Sequence, residues 1–153
     1  MLLEAEQRSL VVQPVSFSVH QLFDDLEVFF AIWAIYDDSR LKLHRPSKDA
    51  NLFCDQQLLQ RVLVNMIKNA LEACPHDGIV EVLFEIEGDR PHFVVSNPGV
   101  IPQEVELSIF KRSFSTKGEP GRGIGTYSMK LFGEHYLGGK VWFTSDEKNG
   151  TRF

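Results

Sequence analysis

The sequence predicts an α+β fold: a two-layer sandwich in which helices cover one face of a mixed, mainly antiparallel sheet. Three observations carry that expectation. Two long segments, 18–34 and 55–74, place apolar residues at helical spacing. Over 79–87 the pattern switches to alternation of Val80, Val82, Phe84 and Ile86 with acids, and a Gly-Asp turn leads to a second strand over His92 to Ser96. Further short alternating runs stand at 15–19, 40–44, 50–54 and near the C-terminal end, each bounded by turn-forming residues.

The chain of 153 residues is of a size for one domain with a real core. A hydrophobic fraction of 43% and a charged fraction of 24% are those of a globular protein. The net charge of −5 argues against nucleic acid as the main partner. Cys54 and Cys74 have neither metal-ligand spacing nor a disulfide framework, which suits a reducing cytoplasm. The most apolar run, Val28 to Tyr36, is far short of the ~20 residues a membrane helix needs. No membrane contact by this domain is therefore expected.

Residues Leu3 to Val12 are polar and compatible with a helix, which Gln13-Pro14 interrupts. Residues 1–13 are read as the end of a preceding helix or linker, and 14–153 as the domain. Val15, Phe17 and Val19 alternate with Ser16 and Ser18, as in a half-buried strand. From Ser18 to Ala34 a core-facing helix sets Leu22, Phe23, Leu26, Phe29, Phe30 and Trp33 against Asp24, Asp25 and Glu27. Arg40 to His44 and Ala50 to Cys54 are expected to form a small strand pair around the loop Arg45 to Asp49.

Asp55 is a candidate N-cap for a long helix with Leu59, Val62, Leu63, Met66, Ala70 and Cys74 on one side, stopped by Pro75. Asn65 and Asn69 are four residues apart and so lie one above the other, with Glu72 on the same line. They fall at the margin of the apolar arc, beside Arg61 and Lys68. Asn is a poor residue for a helix interior, because its amide competes for backbone bonds. One reading is a surface pair; the other is that an amide oxygen ligates a hard cation such as Mg²⁺.

The hairpin Ile79 to Ser96 leads into Ser96-Asn97-Pro98-Gly99-Val100-Ile101-Pro102, a turn-rich corner where a strand-end side chain can face a bound ring. A short helix over Gln103 to Phe110 and a loop over Lys111 to Pro120 are expected next. Gly121, Gly123 and Gly125 then alternate with Arg122 and Ile124 ahead of Thr126 and an apolar-periodic segment ending near Leu137. Glycines leave backbone N–H groups open, and a helix start adds unpaired donors and its positive dipole end. The window 111–130 holds Lys111, Arg112, Lys117, Arg122 and Lys130 against the single acid Glu119. This combination suits a small polyanion. Lys140 to Ser145 and Thr151 to Phe153 are expected as closing strands around Asn149-Gly150.

In this order the segments from Val15 to Phe153 resemble the ATP-binding catalytic domain of bacterial sensor histidine kinases, in the GHKL superfamily of the Bergerat fold. Asn65 to Ala73 resembles the N box, Ile109 to Lys117 the F box, Gly121 to Gly125 the second glycine box, and Gly150 to Phe153 the last one. The Asn-Ala-Leu-Glu-Ala and Ser-Thr-Lys forms are most similar to the nitrogen-regulator type. The resemblance implies ATP and Mg²⁺ as cofactors, with Asn69 as the metal ligand. Asn65 would lie near the γ-phosphate, where relatives that hydrolyse ATP carry a Glu base; an amide is no base, which suits an enzyme that saves its phosphoryl group for a protein. Lys117 and Arg122 would neutralise phosphate charge, the donors of Gly121, Gly123, Ile124, Gly125 and Thr126 would hold the phosphates, and Thr116 belongs to the nucleotide-binding set. Glu72, Asn97, Gly99, Ile101 and Thr151 complete the nucleotide-binding set.

The first glycine box departs from the family's Asp-x-Gly-x-Gly, whose Asp accepts from the adenine amine. One alignment sets Asn97 at the Asp position; a gapless one sets Ser96 there. None of His20, His44, His76, His92 and His135 has the context of a phosphoacceptor histidine. The resemblance thus implies a cytoplasmic catalytic domain that phosphorylates a histidine on a separate dimerisation domain, with a response regulator as indirect partner. The alternative is a nucleotide-sensing pseudokinase that gates a partner without transfer, and a serine kinase of the anti-sigma type shares the fold.

Overall fold

The computed structural model describes residues 11–32, 40–75, 77–101, 129–146 and 150–153. Strands are β1 (Val15–Ser18), β2 (Leu41–His44), β3 (Asn51–Cys54), β4 (Val80–Glu87), β5 (Arg90–Asn97), β6 (Thr144–Asp146) and β7 (Gly150–Arg152). Helices are α1 (Val19–Ile32), α2 (Gln56–Ala73) and a π-helix at Leu131–Tyr136. The main sheet is five-stranded in the order β2-β4-β5-β7-β6, with β1 and β3 forming a separate two-stranded sheet. Among the described strands only the β2–β4 pairing is parallel, so the sheet is mixed and mainly antiparallel as expected.

The expected pairing of 40–44 with 50–54 is not what forms. β2 runs parallel to β4, Leu41 opposite Val80, while β3 is antiparallel to β1, Val15 opposite Cys54. The two neighbouring runs thus enter different sheets. Alternation marks each as a strand but holds no information on its partner, which long-range burial decides. Similarly, 140–143 lies outside any strand, and β6 begins only at Thr144. Gly88 has φ +67°, the left-handed turn conformation the Gly-Asp hairpin requires.

Helix α2 is the central element. Asp55 Oδ1 accepts from the Leu58 N–H at 3.1 Å, confirming the N-cap, and Oδ2 accepts from the Gln13 N–H at 2.9 Å. At the other end the Arg40 guanidinium donates to the carbonyls of Cys74 (3.2 Å) and Pro75 (3.1 Å), satisfying acceptors that the last turn leaves open. The helix packs against α1, β4, β5 and the π-helix. Its buried arc therefore widens beyond the expected side to include Leu58, Val64, Ile67 and Leu71, while Leu59 is only half-buried.

The core joins Leu22, Phe23 and Leu26 of α1, Leu63 and Ile67 of α2, and Val80, Val82 and Val95 of the sheet. Two cations span helices over aromatic rings: Arg61 over Phe132 at 4.8 Å and Lys68 over Phe29 at 5.4 Å. His20 is structural, its Nε2 lying 2.7 Å from the Pro46 carbonyl. The segment expected to be helical up to Leu137 is so from Met129, but adopts π geometry over Leu131–Tyr136. Gly133 sits where an added Cβ would lie 2.5 Å from Val141 Cγ2, so the chain returns tightly across this helix.

Candidate nucleotide site

Two elements meet at the candidate site: the C-terminal half of α2 and the corner at the end of β5. Along α2, Asn65 and Asn69 are half-buried and Glu72 is exposed, as their place at the margin of the apolar arc requires. The Nδ2 atom of Asn69 is buried and has no hydrogen-bond partner among the described residues. A buried amide without a partner is costly, and native proteins retain few of them outside functional sites.

At the corner, strand alternation places Asn97 on the helix-covered face with the core residue Val95, and Ser96 on the opposite face. Asn97 is buried, and its Cα partner across the ladder is Thr151 of β7, itself buried. Of the two alignments, it is thus Asn97 that stands on the face of Thr151. The Asn97 Oδ1 atom accepts from the Gly99 N–H at 2.7 Å, an Asx turn that starts the bend.

A chain of four groups closes that bend. The Thr151 hydroxyl donates to the Gly99 carbonyl at 2.8 Å, and Ser145 Oγ lies 2.8 Å from Thr151 Oγ1. Since the Thr151 proton is committed to Gly99, Ser145 must donate to Thr151; Ser145 Oγ in turn accepts from the Ile101 N–H at 2.7 Å. The order is Ile101, Ser145, Thr151, Gly99, each donating to the next. Such a run fixes both ends of the 99–101 turn from β6 and β7.

The corner abuts the end of α2. A Cβ on Gly99 would lie 3.0 Å from the Ala73 carbonyl and 2.8 Å from Asn97 Oδ1. One on Gly78 would lie 2.6 Å from Cys74 Sγ and 2.8 Å from Pro98 Cγ. Glycine at both positions lets turn and helix end approach this closely.

The structure therefore brings Asn97, Gly99, Ile101 and Thr151 into one bonded corner, and sets Asn65, Asn69 and Glu72 on the helix that ends against it. Thr116, Lys117, Gly121, Arg122, Gly123, Ile124, Gly125 and Thr126 lie outside the described residues, as does the expected helix over Gln103 to Phe110. Neither Ser145 nor Arg40 stands out in the sequence. Ser145 is one hydroxyl among many in turn-rich sequence, and Arg40 reaches its carbonyls from more than thirty residues away.

The fold is a mixed, mainly antiparallel α/β sandwich, and relatives define its class further. Residues 54–153 match the family described as histidine kinase-, DNA gyrase B-, and HSP90-like ATPases, and the chain belongs to that family. Sporulation kinase E of Bacillus subtilis (strain 168) is 31% identical over 105 residues, covering 67% of this chain and 14% of that protein. Sensor protein CitS of Halalkalibacterium halodurans is 36% identical over 104 residues, covering 64% and 19%. The catalytic domain of histidine kinase ThkA superposes with a TM-score of 0.75 at 25% identity, covering 92% of each chain. The chain spans only 14% to 34% of the first curated relatives, so those proteins hold much that this sequence does not.

Asn69 joins an orphaned Nδ2 donor, which suits an acceptor such as a phosphate oxygen, to a neutral amide oxygen of the type that hard cations accept, and no cluster of three or more His, Cys, Asp or Glu suited to a metal occurs among the described residues. A cation here would draw its remaining ligands from phosphate and water, as Mg²⁺ commonly does.

Proposed function

We propose that this chain, over residues 14–153, is the catalytic domain of a sensor histidine kinase: it binds Mg·ATP and passes the γ-phosphoryl group to a histidine on a separate dimerisation domain. Residues 1–13 lead in from that domain, and a response regulator is the indirect partner. The Asn-Ala-Leu-Glu-Ala and Ser-Thr-Lys sequences support the nitrogen-regulator type as the nearest. Its place of action on this reading is the cytoplasm, and its partners are ATP and protein domains. No described helix is long and apolar enough to cross a membrane.

The observation that carries this reading is the juxtaposition of the Asn97–Thr151 corner with the end of the Asn65/Asn69 helix. The corner orients a purine base, while Asn69 Oδ1 would hold Mg²⁺. Bound Mg²⁺ supplies charge neutralisation between phosphate oxygens. Asn65 lies one turn before Asn69 and offers an amide with no capacity to take a proton from water near neutral pH. That absence of a base favours transfer to a protein over hydrolysis. Lys117 and Arg122 neutralise phosphate charge, Thr116 belongs to the nucleotide-binding set, and the N–H groups from Gly121 to Thr126 bind phosphate oxygens. Glu72 borders the same edge of α2. Positioning and charge are most of what phosphoryl transfer demands of a protein.

Calorimetric titration with a non-hydrolysable ATP analogue, with and without Mg²⁺, tests the reading. Mg²⁺-dependent binding is expected in the wild type and is expected to be abolished in Asn69→Ala with unchanged circular dichroism. Unaltered Mg²⁺ dependence in the variant refutes the Asn69 assignment. Transfer to a supplied histidine-bearing domain, giving an acid-labile phosphoprotein, tests the reaction; an acid-stable product refutes histidine as the acceptor.

A further inference from the structure

We propose that the Asn97 corner takes purine nucleotides bearing a carbonyl at ring position 6, the inosine and guanosine triphosphates, at least as well as it takes ATP. The inference rests on the proposed role of this corner in facing the base. It depends on which end of the Asn97 amide the fold has already used.

Asn97 Oδ1 accepts from the Gly99 N–H at 2.7 Å. Turning the amide over would set its NH₂ group against that N–H, donor against donor, and break a bond at a side chain only 5% exposed. The backbone cannot readily turn instead. The Gly99 carbonyl is held by the Thr151 hydroxyl at 2.8 Å, and Gly150 is packed so closely that a Cβ there would lie 2.1 Å from the Asn97 carbonyl oxygen. The oxygen is thus fixed toward the turn. The amide nitrogen, in contrast, is the end of the side chain directed away from the Gly99 N–H.

An amide nitrogen, with two protons to donate and no lone pair to accept, selects what it meets. Adenine offers its own amine at position 6, so the meeting is donor against donor. Hypoxanthine and guanine offer a carbonyl oxygen, which accepts. The second lone pair of Oδ1 still admits an adenine amine, so ATP is not rejected; the corner simply lacks the preference that a carboxylate, an acceptor at both oxygens, would impose. Asn97→Asp restores two acceptors with almost no change of shape.

Inosine triphosphate is the sharper probe, since it lacks guanine's additional amine. Binding of ITP and ATP to the full 153-residue chain is measured by calorimetry with Mg²⁺, in the wild type and in Asn97→Asp. The expected result is ITP bound at least as tightly as ATP by the wild type, and a shift of the ITP/ATP affinity ratio of at least tenfold toward ATP in the variant. A wild type that prefers ATP overturns the proposal while leaving the nucleotide site itself intact, and needs no variant to be read. A ratio unmoved by Asn97→Asp, in a variant with unchanged circular dichroism, also overturns it. Failure of both nucleotides to bind overturns the proposal together with the nucleotide-site reading.

Discussion

Substituting Gly150 by Ala perturbs the site through the backbone, and the molecule has its own controls for the effect. Gly88, Gly138 and Gly150 all have positive φ, at +67°, +72° and +70°. An alanine held there costs roughly 1–2 kcal/mol, partly offset by about 0.4–1 kcal/mol from the lower entropy of the unfolded chain. At Gly88 and Gly138 a Cβ meets nothing within 4 Å, so each Gly→Ala change should lose only about 0.5–1.5 kcal/mol.

At Gly150 the same Cβ would stand 2.1 Å from the Asn97 carbonyl oxygen and 2.8 Å from Pro98 Cα, both backbone atoms that no rotamer change can move aside. Forcing β7 and the corner apart adds the cost of overpacking, roughly 1–3 kcal/mol, for a total of about 1.5–4.5 kcal/mol. Urea unfolding of the three variants, analysed at equal m-value, measures the difference. Because the displaced atoms carry the Asn97 amide and the Thr151 bond to Gly99, nucleotide affinity should also fall at least tenfold in Gly150→Ala and remain within twofold in the other two. A Gly150→Ala protein as stable as Gly88→Ala, binding nucleotide like the wild type, would refute the close packing of β7 on this corner.

Ser145→Ala removes the middle of the chain from Ile101 to Gly99 and should cost about 1–2 kcal/mol and weaken nucleotide binding several-fold, whereas Ser145→Thr should retain most of both; calorimetry and urea melts report the pair. Asp55→Ala loses the cap on α2 and the tie to Gln13, so about 2 kcal/mol and a Tm lower by about 4–8 °C are expected, with Asp55→Asn less affected because an amide oxygen still caps Leu58. Asp49 is held below the usual carboxylate range, first by the His20 N–H and then by the Ala50 N–H. A depressed folded pKa gives stability that is present above the unfolded value and lost as pH falls below about 4; the slope of stability against pH in that range should flatten in Asp49→Asn. Burial, with a smaller effect of the neighbouring Asp55 carboxylate, pushes the Cys54 thiol up, so its alkylation by iodoacetamide at pH 8 should be slower than that of the urea-unfolded chain.

What could be read from the sequence was what local chemistry determines. Asp55 as a cap, the Gly88 turn, the hairpin, and Asn65 and Asn69 at the edge of the apolar arc depend on a residue and its near neighbours, and each is found. The partner of Leu41–His44 could not be read, because a strand of four residues has the same pattern whichever sheet receives it. Nor could Ser145, which matters only because β6 pairs with β7 and so brings it against Thr151 and Ile101. The π geometry of Leu131–Tyr136 has the same character: apolar spacing marks a helix there, and Gly133 beneath Val141 belongs to packing that spacing does not encode.

The corner and the helix also explain each other. Helix α2 is pinned at its start by Asp55 and at its end by Arg40, so the height of Asn65 and Asn69 along its axis is set by bonds far from either amide. The turn at Gly99 then rests on the last carbonyls of that helix, at a spacing that only a residue without Cβ permits. A shift of α2 by one residue, about 1.5 Å along its axis, would carry Ala73 away from Gly99 and rotate both asparagines by about 100° off the exposed edge. Arg40→Ala tests the coupling, since it touches no residue of the site. If the end of α2 sets the corner, nucleotide affinity falls with stability, and Arg40→Lys, which keeps a charge but not the planar fork, recovers only part of each. Loss of stability with affinity unchanged in the folded fraction would mean that the corner holds its shape without the helix end.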